Sequence, residues 1–584
     1  MDDLFYKSKK AILPSNVPSD ELADKFCHFF TEKIGKIHSN FDNQSLSSDI
    51  SCAVANLSVL APTSTEEVRK LILASPTKSC SSDPIPTFLL KDCLEQLLPA
   101  ITAIINASLS SATVPCQFKK ALVTPILKKA SLDPDKFSNY RPVSNLPYLS
   151  KLLEKVVSKR LHAHKTCHHL MEPFQSAYRP GHSTETAVTR VMNDILRAID
   201  GGQCVFLVLL DLSAAFDTVS HEILLERLQS SFGVRDNALK WIASYLHQRT
   251  QSVSVEGSIS ESVTLKYGVP QGSVLGPDFF TDYMCQLASI IQSFAIDYHC
   301  YADDTQLYTA FTPGEDELLA VEKLQSCIEA LRTWMFNNKL KLNDEKNEFI
   351  VFGTPAGLRK VITSTILVGN KLIKASSSVR NIGAYLDQNL KMDVQVKLTC
   401  KSAWFHLYNI SRIRCFLTSD QAKSVTHAYV TSKLDFNNVL LAGVPQYLTS
   451  KLQMVQNAAA KLITGSKKHD HVTPILHSLH WLPIYQRIIF KVLLLTFKAL
   501  QGDGPLYLQE LLLLHQSPRN LRSSSSPFLL KVPRSKLKTF GDKSFSFVAP
   551  EQWNKLPVHI RTSSSVDSFK SSLKTLLFSQ HFNQ

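Results

Sequence analysis

Apolar residues recur along this chain in two rhythms, and the changes of rhythm mark its parts. Residues 1 to 60 are polar, with one short amphipathic helix expected over Phe26 to Ile37 and a Ser/Asn/Asp-rich linker from Ser39 to Ser51. Helical spacing returns from Thr65 to Ser111, interrupted by the turn-like sequence SSDPIP at Ser81 to Pro86. Leu149, Leu152, Leu153, Val156, Val157 and Leu161 then fall on one helical face, with Lys151, Lys155 and Lys159 off it. Pro142 and Pro147 lie just ahead, where a helix start tolerates them.

The second rhythm is that of strands. Val205 to Leu210 is a continuous apolar run that follows Gly201-Gly202 and ends at a charge, which predicts a buried strand emerging at a sheet edge. Beyond it SHEILLERL returns to helical spacing, and VTLKYGVPQGSVLGP reads as a strand followed by a Gly/Pro loop. Tyr298 to Thr309 predicts two short strands around Ala302, Asp303 and Asp304. Helix and strand alternate to residue 390. After that the pattern is helical, with Leu448, Leu452, Val455, Ala459 and Leu462 on one face. Gln516 to Lys538 is rich in Ser and basic residues and reads as a flexible connection. There is no internal repeat.

Length and composition narrow the class. A chain of 584 residues exceeds one ordinary core, and 44% hydrophobic with 20% charged residues is the mix of a folded globular protein. The net charge of +14 favours polyanionic partners. Its distribution is uneven: from Lys451 onward there are eighteen Lys and Arg against six Asp and Glu, so +12 of the +14 lies there. The twelve cysteines are scattered, none lies beyond Cys415, and no C-x-x-C occurs, so zinc ribbons and knuckles lack support. The opening MDDLFYKSKK has no apolar core, and no apolar run is long enough to span a bilayer, so an intracellular protein of the nucleus or cytoplasm without membrane partners is expected.

Two acidic positions carry candidate chemistry. Asp211 ends the buried run, and Asp303 and Asp304 occupy a tight turn between aromatic-rich strands. Either alone is an ordinary strand end or turn. Three carboxylates pressed against apolar strands would repel one another unless a divalent ion neutralised them, and hard oxygen donors suit Mg²⁺. Two such ions can activate a hydroxyl and stabilise a departing pyrophosphate. Spacing alone does not make these strands neighbours.

The words around these residues resemble one family. Tyr301-Ala302-Asp303-Asp304 looks like the catalytic turn of reverse transcriptases, and it stands in an ordered series. SNYRPVSNLPYLSKLLEKVVSKRL (Ser138 to Leu161), FQSAYRPGHSTETAVTRV (Phe174 to Val191), FLVLLDLSAAFDTVSH (Phe206 to His221) and GVPQGSVLGPDFF (Gly268 to Phe280) precede it. KLNDEKNEFIVFG and VRNIGAYLD follow it. In order and spacing these resemble the blocks of LINE-type, non-LTR retrotransposon reverse transcriptases over residues 65 to 390. SKLDFNNVLLAGVP and HWLPIYQRI resemble the segment that follows in such proteins.

The resemblance implies an RNA-directed DNA polymerase with an α+β right-hand architecture: fingers and palm with an antiparallel sheet over 61–390, then a helical thumb-like region over 391–515. An N-terminal extension, 1–60, would precede these and a basic C-terminal region, 516–584, would follow. Its partners would be an RNA template, a DNA primer and deoxynucleoside triphosphates, and its cofactor two Mg²⁺ ions, with Mn²⁺ as the alternative. Asp211 and Asp303 would hold the metal with Asp304 adjoining, and Lys346 would protonate the leaving pyrophosphate. Arg179 would meet the triphosphate, Gln271 and Gly272 would line the nucleotide pocket, and Phe216 would crowd a ribose 2′-hydroxyl. Lys451, Lys461, Lys467 and Lys468 would face the duplex. The sequence departs from the family's commoner residues at Ser82, Tyr178, Ser220 and Asn347, none of them a carboxylate position. Proteins of this type carry an upstream endonuclease domain, which the opening residues are too few to form, so a truncated element product is expected.

Two other readings share this architecture. One is a catalytically inactive, RNA-binding relic of such an enzyme, against which all three carboxylates stand. The other is an intron maturase or telomerase-like enzyme, against which GHSTET and HWLPIYQRI point to the LINE group. If Phe216 is the aromatic gate, Phe216→Ala leaves DNA synthesis measurable and admits ribonucleotides. Unchanged dNTP/rNTP discrimination in single-nucleotide incorporation would leave it only a core residue.

Overall fold

A computed structural model describes residues 13–15, 17–39, 41, 55–77, 80, 83–515 and 528–582. The expected linker beyond Ser39, apart from Phe41, lies outside the described residues, as do Ser81 and Ser82 of the SSDPIP turn and residues 516–527 of the expected connection. The chain divides into two compact units, each built from separated segments. One takes the chain up to Glu172 with Leu212–Ile290 and Ala330–Asn343; the other takes Pro173–Asp211, Ile291–Glu329 and the chain from Asp344 on.

In the first unit, alternating burial along Lys120–Leu127 (β1) gives a sheet with one covered face. β1 pairs antiparallel with Tyr140–Asn145 (β2) and parallel with Thr250–Val255 (β4), which also carries the short strands Ser258–Ile259 (β5) and Val263–Thr264 (β6). The N-terminal helix spans Ser19–His38, longer than its apolar pattern suggests, and buries Leu22, Ala23, Phe26 and Phe30 against Val123, Tyr140, Val253 and Val255. The segment 65–111 forms three helices, Thr65–Ala74, Thr87–Asp92 and Leu94–Ser111, the first capped by the Ser64 side chain. Helix Tyr148–Cys167 buries the expected face at Leu152, Leu153, Val156, Val157 and Leu161. It also buries Glu154, which the pattern does not foretell. Of VTLKYGVPQG only Val263 and Thr264 are strand. Pro270 offers no N–H to a ladder and Gly268 and Gly272 have positive φ, so the rest is loop up to helix Leu275–Tyr283.

The second unit holds an antiparallel four-stranded sheet in the order β7-β8-β3-β9. Its centre is Cys204–Leu210 (β3), the predicted buried strand, flanked by Asp304–Phe311 (β8) and Glu348–Phe352 (β9), with Asp297–Tyr301 (β7) beyond β8. Ser183 and Thr186 form a reciprocal cap that starts helix Thr184–Asp200, whose Val188, Val191, Met192 and Ile195 share one core with Val205, Leu207, Ile350 and Phe352 of the sheet. Thr365–Val368 pairs with Lys371–Lys374, and Ser378–Asn381 with Ala384–Asp387, as two hairpins. From Asp393 the unit is helical, as the pattern predicts, and Leu448, Leu452, Val455, Val492 and Phe497 extend the same core, where Phe497 stacks on Phe569 at 4.2 Å. No helix among the described residues is long and apolar enough to cross a membrane.

On the other face of β3, the fully buried Phe206 stacks on Phe311 at 3.9 Å. Phe206→Ala would cost about 3–5 kcal/mol through lost burial and a cavity. Urea unfolding of the full chain should show the midpoint fall with little change in slope.

Candidate active site

The register of the central sheet decides which polar groups meet. Leu210 pairs with Thr305, so one step further Asp211 stands opposite Asp304, the first residue of β8. On its other edge β3 places Leu209 opposite Glu348, so two steps further Asp211 reaches Lys346. Lys346 Nζ donates to Asp211 Oδ2 at 2.8 Å, and the Asp211 backbone N–H donates to Asn347 Oδ1 at 3.1 Å. Asp211 therefore leaves the strand with a carboxylate on one side and an ammonium on the other.

Asp303 and Ala302 form the loop of the β7–β8 hairpin, whose last pair is Tyr301 with Asp304. Withdrawal from water, then repulsion from Asp303 and Asp211, raises the Asp304 carboxyl to about 6, with Lys346 pulling the other way. Three like charges share one sheet end. Hard oxygen donors so placed suit a divalent cation. They are not a ready-made cage: among the described residues no group of three or more His, Cys, Asp or Glu is disposed to hold a metal ion. Lys346 pairs with one oxygen of Asp211, at 2.8 Å.

Arg179 belongs to the same unit; its Nη1 donates to the Gln175 carbonyl at 3.0 Å. Its neighbour Tyr178 is half exposed, has a φ of 59°, and lies close enough to Asp303 and Asp304 for both to raise its phenol pKa, after burial. Of the C-terminal lysines, Lys451, Lys467 and Lys468 are exposed, whereas Lys461 donates to the Lys468 carbonyl at 2.6 Å.

The other sequence-identified residues, Phe216, Gln271 and Gly272, lie in the first unit. Phe216 stacks on Phe280 at 4.7 Å, and its carbonyl accepts from the Val269 N–H. Gln271 Nε2 donates to both carboxylate oxygens of Asp217 at 3.0 Å, and the Ser144 N–H donates to the Gln271 carbonyl at 2.7 Å. Gly272 has a φ of 114°, and a Cβ there would meet the Ser144 carbonyl oxygen at 2.5 Å, so no other residue fits. Glu154 accepts from the Val274 and Leu275 N–H groups just beyond, at 2.7 and 3.0 Å.

Residues 126–436, more than half of the chain, match the family described as reverse transcriptase (RNA-dependent DNA polymerase). The chain belongs to the reverse transcriptase family. It is 28% identical over 337 residues to the RNA-directed DNA polymerase from mobile element jockey of Drosophila melanogaster, covering 57% of this chain and 36% of that protein. It is 25% identical over 484 residues to the probable RNA-directed DNA polymerase from transposon BS of the same organism, covering 81% and 52%. For the probable RNA-directed DNA polymerase from transposon X-element the identity is 23% over 483 residues, covering 80% and 50%. The chain thus spans between a third and about half of the length of these curated relatives, whose kind agrees with the LINE-type, non-LTR resemblance of its motifs.

Three further polar residues support these elements without a mark in the sequence pattern. Glu154 and Asp217 hold the Gln271-Gly272 loop, and Gln175 contacts the hairpin turn. Each lay within a quoted block, but nothing in its spacing separates a buried acceptor from a surface polar residue.

Asp217 supplies a pH test. Burial raises its carboxyl to about 6, against the stabilising Gln271 contact and the charge of Lys33. The folded state then binds more protons than the unfolded between the ordinary carboxyl value and about 6. Its contribution is full below that window and lost as pH rises through it. Asp217→Asn should therefore flatten the fall in Tm between pH 4 and 6; parallel profiles for the two proteins would refute the assignment.

Proposed function

We propose that this chain is an RNA-directed DNA polymerase that extends a DNA 3′-hydroxyl on an RNA template. What carries the reading is the register that sets Asp211 between Asp304 and Lys346 at the end of the central strand, in a chain of the reverse transcriptase family. The sheet β7-β8-β3-β9 with helix Thr184–Asp200 corresponds to a palm, the preceding helices and first sheet to fingers, and the helices from Asp393 on to a thumb-like region with a basic C-terminal part. The proposed segments are 1–60, 61–390, 391–515 and 516–584, a functional division of the sequence and not the two compact units.

Asp211 and Asp303 would hold the divalent cations, Mg²⁺ with Mn²⁺ as the alternative, with Asp304 adjoining. When bound, these ions lower the pKa of the primer hydroxyl and neutralise charge on the departing pyrophosphate. The chain's own groups do the rest. The Lys346 ammonium, beside Asp211, would give a proton to the leaving oxygen. The Arg179 guanidinium offers paired donors to the triphosphate. Gln271 and the open backbone at Gly272 line the nucleotide pocket, and the Phe216 ring excludes a 2′-hydroxyl. Lys451, Lys467 and Lys468 contact duplex phosphates, and Lys461 steadies the turn that carries Lys468.

Primer extension by the full chain on an RNA template with Mg²⁺ tests this. Asp303→Ala should lower the rate by at least about 10³-fold while duplex binding persists. Equal extension by the two proteins would remove the polymerase reading.

A further inference from the structure

The catalytic turn rests on a residue poorly suited to its backbone. Ala302 has a φ of 57°, whereas Asp303 is not among the residues with positive φ. Positive φ at only the first of two central residues is the sign pattern of a type II′ turn, where glycine is favoured because a Cβ is strained. No glycine is supplied. Something outside the turn must then hold it.

Gln175 makes the contacts that could. Its side chain is 6% exposed, and its Oε1 accepts from the Ala302 N–H at 3.0 Å while its Nε2 donates to the Ala302 carbonyl at 3.4 Å. One amide thus grips both polar groups of the strained residue across 127 positions of chain. The amide is itself fixed, because Oε1 also accepts from the Ala177 N–H at 3.0 Å, which settles which end is oxygen. The segment bearing it is tied to β7: the Cys300 N–H donates to the Phe174 carbonyl at 2.9 Å, and the Ser176 N–H donates to the Cys300 carbonyl at 3.0 Å. The Gln175 carbonyl, in turn, accepts from Arg179.

We propose that Gln175 is a positioning residue that holds the Ala302 peptide in its left-handed turn and thereby aims Asp303 and Asp304. This rests on Asp303 being a catalytic carboxylate. The amide touches no reacting atom; it sets the direction in which the two carboxylates leave the hairpin. Relaxation of Ala302 toward negative φ would rotate the 302–303 peptide and swing Asp303 off its bearing.

The logic gives a specific rescue. If the amide's work is to hold Ala302 at positive φ, a glycine there makes the turn favourable without it. The full chain would be compared as wild type, Gln175→Leu, Ala302→Gly and the double variant, with primer extension, Mg²⁺ titration of the rate, and Tm. Gln175→Leu should lower kcat by about 10²-fold, as misaimed catalytic groups do. It should raise the half-saturating Mg²⁺ by about tenfold and leave KM for the nucleotide nearly unchanged. The double variant should recover at least about tenfold of the lost kcat, with its Mg²⁺ midpoint moving back. A double variant as slow as Gln175→Leu, or a lowered Tm with an unmoved Mg²⁺ midpoint, overturns the proposal. Should Gln175→Leu not fold, Gln175→Asn keeps the amide but shortens its reach, and the same loss and rescue are required of it. Full activity in Asp303→Ala would instead sink the active-site reading. An inactive Asp303→Ala beside a fully active Gln175→Leu would sink only the positioning role.

Discussion

A strand hydrogen-bonded on both edges cannot slip by one residue without breaking two ladders and turning every side chain to the opposite face. Cys204–Leu210 is such a strand, held by seven register pairs to β8 and five to β9. All but one of its residues are buried, so a slip would also drive Phe206 and Leu207 out of their separate environments. This double pairing converts a position in the sequence into a position in space. Asp211 is the first residue the sheet releases, and its neighbours follow from the same two registers.

Arrangement by register carries an electrostatic cost. Asp304 is pushed up to about 6, first by burial and then by the charges of Asp303 and Asp211. A fold seeking only stability would not gather these groups. That they stand at the end of the most constrained strand of the sheet is the kind of local conflict expected where a site has been placed.

Much of this was legible in the sequence because burial and turn chemistry leave local marks. The apolar run before Asp211, the aromatic strands around Asp303 and the helical face from Leu152 to Leu161 appear as their patterns require. What stayed hidden depends on partners far along the chain. Nothing local distinguishes Glu154 from an exposed helical Glu; only its position against the Val274 and Leu275 N–H groups does. The Asp217–Gln271 bond spans 54 positions and the Gln175–Ala302 bonds 127. The strand expected ahead of Gly268 shortens to Val263 and Thr264, and the expected Gly/Pro loop is held by Ser144 and Asp217, groups that a reading of that window does not contain. The Lys346–Asp211 pair was hidden for a related reason: spacing reveals carboxylates but not the ammonium that the adjacent ladder delivers to one of them.

That ammonium also has a magnitude, and it decides how the pair should behave. Lys346 is 63% exposed and Asp211 25%, so water and salt screen their attraction. Exposed pairs of this sort contribute about 0–1 kcal/mol. Such a bond partly offsets the repulsion among the three carboxylates while the chain has nothing bound there. At that magnitude it does not lock the Asp211 carboxylate in place. Asn347, next along the chain from Lys346, accepts from the Asp211 backbone N–H, so the place of the ammonium beside Asp211 is set by the ladder more than by its charge. A lysine held close by register but only loosely by charge offsets part of the repulsion among the carboxylates without fixing Asp211 in place.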